Sequence, residues 1–132
     1  MRAELSIVIA RTPEDVFAYL TDVSNLPAWQ SGVTRATLRD GRIEERRSLL
    51  GRELDTTLAI VEQEEPCLFT LRALDGPVPF TVRHELEAAD GGTRLTVAAE
   101  GDVPGFAAGL LAKGAERQFR KDFQRLKQIL ES

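Results

Sequence analysis

Residues 78–100 read VPFTVRHELEAADGGTRLTVAAE. Phe80, Val82, His84 and Leu86 alternate with Thr81, Arg83, Glu85 and Glu87, the period of a half-buried strand. Ala89-Asp90-Gly91-Gly92 supplies a tight turn, and Thr93 to Glu100 returns as a second strand. After Gly101-Asp102-Val103, Pro104 marks a helix start. The segment to Leu130 then carries Ala108, Leu111, Ala112, Ala115, Phe119, Phe123, Leu126 and Leu130 at helical spacing. Strands followed by one long helix predict an α+β fold with the helix on one face of the sheet.

Upstream, Asp75-Gly76-Pro77-Val78 allows a two-residue turn with Gly first and Pro second. With a slip at the prolines, Ala73 meets Pro79, Leu71 meets Val82 and Phe69 meets His84. Between Val33 and Leu74, alternating residues are punctuated by turn or bend signals at Asp40-Gly41, Gly51 and Glu65-Pro66, which implies several antiparallel strands. Ala3, Leu5, Ile7 and Ile9 mark a first strand. Thr12-Pro13-Glu14-Asp15 combines a capping hydroxyl, a first-turn proline and two acids, so a short helix runs from there to about Thr21. Fresh caps at Asp22-Val23-Ser24-Asn25 introduce a second short helix over Leu26-Pro27-Ala28-Trp29.

The length of 132 residues fits one domain over residues 1–132. A net charge of -4 with scattered arginines offers no footprint for a polyanion, so nucleic acid is not an expected partner. No apolar run is long enough for a signal segment or a membrane span, and the chain is expected to be cytoplasmic. A lone Cys67 excludes an internal disulfide; with His84 the sole histidine, no metal site and no cofactor are expected.

The terminal helix changes character along its length. Ala108, Gly109, Ala112 and Ala115 cannot fill space, whereas Phe119, Phe123, Leu126 and Leu130 can. A cavity beside the small-residue half, closed at its far end by Phe119 and Phe123, and close packing of helix on sheet are both open readings. Phe106 and Leu110 lie off the stripe, over the cavity mouth or in a homodimer contact.

Asp15-Val16-Phe17-Ala18-Tyr19-Leu20-Thr21-Asp22 followed by Asn25-Leu26-Pro27-Ala28-Trp29 resembles the opening signature of the polyketide cyclase/dehydrase-like branch of the SRPBCC, or START-like, superfamily. His84-Glu85-Leu86-Glu87 leading into Gly91-Gly92-Thr93-Arg94-Leu95-Thr96 resembles its last-hairpin signature, with His84 where an aromatic is more usual. The resemblance implies a helix-grip fold, with about seven strands in a curved antiparallel sheet around the C-terminal helix and two short helices after strand one. It does not imply one function, since such proteins include carriers, cyclases, hydroxylase domains and co-chaperones.

The expected partner is a small hydrophobic or aromatic ligand held between sheet and helix. Candidate lining residues are Trp29, Arg47, Phe69, Phe80, Val82, His84, Leu111, Ala112, Ala115 and Phe119. Inward His84 is the best acid-base candidate, against the commoner reading of a hydrogen-bonded lining residue, and no catalytic residue is assigned. Arg47, Glu45, Asp55 and Arg72 face inward as ligand handles or outward as solvated charges, the second being the commoner case. Cys67 reads as a small buried hydrophobe at a strand start. Two further functions stay open: a cyclase, dehydratase or isomerase using His84, and a protein-interaction module docking through Phe106, Leu110 and Gly76-Pro77-Val78-Pro79.

Overall fold

The structure is a computed structural model that describes residues 2–49, 51–75, 79–101 and 108–132, without the side chains of residues 49 and 108–113. The elements run β1 (Arg2–Ile9), α1 (Pro13–Thr21), a single 3-10 turn (Val23–Asn25), α2 (Leu26–Trp29), β2 (Val33–Arg39), β3 (Arg42–Leu49), β4 (Arg52–Glu64), β5 (Leu68–Ala73), β6 (Phe80–Ala89), β7 (Gly92–Gly101) and α3 (Ala108–Glu131). The seven strands form one antiparallel sheet in the order β1-β7-β6-β5-β4-β3-β2. The chain crosses from one sheet edge to the other through α1 and α2, and β3, β5 and β7 all finish at the same end of the sheet.

Local chemistry accounts for these elements. The Thr12 hydroxyl accepts from the Asp15 amide at 3.2 Å, Pro13 opens α1, and Val16, Phe17 and Leu20 form its buried face. Asp22 caps the following turn by accepting from the Ser24 amide at 3.1 Å. The β6–β7 turn pairs Ala89 with Gly92, with positive φ at Asp90 and Gly91, as the Asp-Gly signal predicts. Phe69 pairs with His84 and Leu71 with Val82 in the expected register; residues 76–78 of that turn lie outside the described residues.

Two local expectations change. Gly51 occupies the β3–β4 turn itself, where Leu49 pairs with Arg52, so it leaves the alternation of both strands unbroken. Cys67 is exposed: it sits in the turn ahead of the first β5 ladder pair and joins no packed face.

α3 is gripped from both sides. Along β1, Arg120 donates to the Glu4 carbonyl at 3.2 Å and Lys127 to the Val8 carbonyl at 2.5 Å, while Glu131 accepts from the Ala10 amide at 2.9 Å. On the other flank Asp122 accepts from the Ser31 amide at 3.2 Å and Arg125 donates to the Ala28 carbonyl at 2.6 Å. These side chains cover polar backbone on the edge strand β1 that the ladder leaves open. Beneath them Phe123, Leu126 and Leu130 are buried against Ile9, Val16, Trp29, Leu95 and Val97.

At the start of β7 the backbone passes so close to the end of β1 that a methyl on Gly92 would overlap the Ile9 carbonyl oxygen and lie 3.2 Å from the Ala10 Cα. Both obstacles are main chain, so Gly92→Ala is expected to cost roughly 1–3 kcal/mol by forcing the two strands apart. Urea unfolding should reveal the loss, and an unchanged midpoint would show that the strand ends separate freely.

Candidate functional site

Strand alternation defines the inner face of the sheet, on which α3 lies. It carries Ile43, Glu45 and Arg47 of β3, Thr56, Leu58 and Ile60 of β4, Phe69, Leu71 and Ala73 of β5, Phe80, Val82 and His84 of β6, and Val97 and Ala99 of β7. Where the second half of α3 covers it, Phe69, His84 and Val97 are buried. Ile60, Ala73, Phe80, Val82 and Ala99 are only half-buried although they belong to interior strands. Helical spacing predicts Ala115 in the buried stripe, yet it is exposed, because the whole turn from Gly114 to Gln118 faces solvent. Phe119 is half-buried at the step between the two halves of the helix. The side chains of Leu111 and Ala112 lie outside the described residues, as do those of Phe106 and Leu110.

Trp29 is 1% exposed, with its ring centroid 5.0 Å from that of Phe123. Its indole nitrogen has no partner among the described residues. Trp29 and His84 also line a hollow of about 10 Å³, walled further by Leu26, Ile43, Phe69 and Leu71, which is the size of one water molecule.

His84 lies between Phe69 and Phe123 with its ring tilted against both, at centroid separations of 5.6 and 5.8 Å, and its Nδ1 lies 2.7 Å from the Phe69 carbonyl. A carbonyl only accepts, so Nδ1 carries the proton and Nε2 is the unprotonated nitrogen of the neutral ring. Burial pushes the His84 pKa down to about 4, against the smaller opposing pull of the Phe69 carbonyl, and the ring is neutral near pH 7.

Arg47 faces inward, whereas Asp55 and Arg72 face outward. Glu45, for which a solvated surface role is the commoner expectation, is buried: its side chain is 0% exposed. Its Oε1 accepts from Arg47 Nε at 2.5 Å, and Arg47 Nη2 donates to Gln30 Oε1 at 2.8 Å. Glu45 Oε2 has no partner among the described residues. Gln30 was not singled out by sequence, since the residue closing a one-turn helix has no periodicity to place it. For Glu45 a signal existed: it stands two residues from the apolar Ile43.

The outer face of β2–β4 holds a second, open groove of about 450 Å³ among Arg35, Arg39, Glu44, Arg46, Asp55 and Asp75. Its charges offset one another. Arg46 donates to Asp55 at 2.9 Å and holds that carboxyl below the usual carboxylate range. No group of three His, Cys, Asp or Glu among the described residues could hold a metal ion, and no helix among them is long and apolar enough to cross a membrane.

A seven-stranded sheet curved around one C-terminal helix, with two short helices after the first strand, defines the helix-grip class of START-like proteins. Within that class the chain belongs to the family described as "Polyketide cyclase / dehydrase and lipid transport", which matches residues 1–131 and whose members typically bind hydrophobic ligands. In fold the chain is similar to a conserved protein from Geobacillus kaustophilus, with a TM-score of 0.85 at 18% identity over 98% of this chain and 95% of that one. A protein from Rhodobacter sphaeroides gives a TM-score of 0.76 at 25% identity over 98% and 90%. A START superfamily protein from Mycobacterium smegmatis gives 0.76 at 15% identity over 97% and 98%. No curated protein matches the chain in sequence.

Proposed function

We propose that this chain binds a small hydrophobic or aromatic molecule on the apolar inner face of the sheet, beside the first described turns of α3. One observation carries the reading: Ile60, Ala73, Phe80, Val82 and Ala99 stay half-buried on interior strands, and Gly114 to Gln118 of α3 stay exposed. Interiors normally pack to crystal-like density, so apolar side chains left half-open in mid-sheet suit a partner that covers them. Phe119 supplies an aromatic wall and the Gln30–Arg47–Glu45 chain a polar one. A proton-moving role for His84 draws less support, because its one proton is committed to the Phe69 carbonyl and burial has lowered its basicity.

Calorimetric titration with naphthalene-type probes tests this directly. The unmodified protein should take up such a probe with a negative heat-capacity change, and Val82→Phe, which fills the groove, should weaken uptake by about tenfold or more. Absence of binding, or equal binding by the variant, would overturn the reading.

A further inference from the structure

Resting on the binding reading above, the buried Glu45–Arg47 pair on the same inner face of the sheet indicates what the ligand must carry. β3 places Glu45 on the inner face beside Ile43, with Ala36 and Thr56 opposite it on the neighbouring strands. Its side chain is fully buried, yet only one carboxylate oxygen is used, by Arg47. The other, Oε2, is without a partner among the described residues. Buried acceptors left unsatisfied cost free energy, so a donor supplied from outside the chain would stabilise Oε2.

The chemistry of that partner follows from the pair. An ionised carboxylate is an acceptor only, so the partner must donate. Arg47 already balances the charge of Glu45 and is itself held by Gln30, so a second cation is superfluous, and an anion would meet the carboxylate's repulsion. We propose that Glu45 Oε2 is the specificity-determining acceptor of the groove, and that the ligand is a neutral, mainly apolar molecule bearing a hydroxyl or N–H donor.

The test compares naphthol with its methyl ether, which lacks the donor and adds one methyl group, by calorimetry on the whole chain. A hydrogen bond to a charged acceptor should favour naphthol by about tenfold or more. In Glu45→Gln the amide oxygen stays on Arg47, which needs an acceptor, so an NH2 donor replaces the free oxygen. The preference should then fall to near parity while the affinity for the ether is unchanged. Equal affinities in the unmodified protein, or a preference that survives Glu45→Gln, would overturn the inference and leave the binding reading standing. Failure of both probes to bind would remove both. Equal affinities in the unmodified protein overturn the inference even if the variant does not fold.

Discussion

Phe123→Ala is expected to lower the free energy of unfolding by about 3–5 kcal/mol, the range for truncating a fully packed aromatic. Phe123 is 4% exposed, and its ring lies 5.0 Å from Trp29, 5.1 Å from Phe119 and 5.8 Å from His84, centroid to centroid. It therefore joins α3, α2 and β6 at one point. Neither Trp29 nor His84 can move into the vacated space freely, because α2 is tied to α3 through Arg125 and His84 is tied to the Phe69 carbonyl. Against a typical total of about 5–15 kcal/mol, the loss should lower the thermal midpoint by roughly 10–20 °C. Gln124→Ala, one position along on the exposed face, should change stability by less than about 0.5 kcal/mol and serves as the control. A small loss at Phe123 would mean that the helix does not bear on the aromatic cluster.

The second large effect is acid destabilisation through His84. The unfolded ring titrates near 6.5 and the folded ring near 4, so between those values the unfolded chain binds more protons. Stability is then complete above pH 6.5 and falls with pH until the folded ring itself protonates near pH 4, below which this contribution is flat. The shift corresponds to about 3 kcal/mol. Asp55 and Glu131, whose carboxyls are held low by Arg46 and by Lys127 with the Ala10 amide, also lose stabilisation in acid. The difference between the unmodified protein and His84→Phe isolates the histidine: denaturant unfolding across this range should show the steeper decline only where the imidazole is present. Parallel declines would show that His84 meets water in the folded state.

The order of elements was legible because its signals are local. Thr12-Pro13 announces α1, Asp90-Gly91 closes the last hairpin, and the β5–β6 ladder sets Phe69 opposite His84 in the register read from the sequence. The Glu45–Arg47 pair was harder to read. Glu44-Glu45-Arg46-Arg47 is charged at every position, so polarity alternation is silent about which two residues point inward. Only Ile43 and the unbroken ladder to β4 decide it. The exposure of Ala115 was hidden for a related reason: helical spacing identifies a face but does not tell how far along its length that face is covered.

The grip of α3 on β1 also bears on how quickly the fold can be reached. Arg120 to Glu4, Lys127 to Val8 and Glu131 to Ala10 join residues 116, 119 and 121 positions apart, and the β1–β7 ladder pairs Arg2 with Glu100. Closing such loops costs entropy that grows only logarithmically with length, so the penalty at equilibrium is small. The kinetic penalty is larger, since chains dominated by contacts remote in sequence fold in milliseconds to seconds. β1 can pair only once β7 is available, and until then the β7 edge of the sheet stands uncovered.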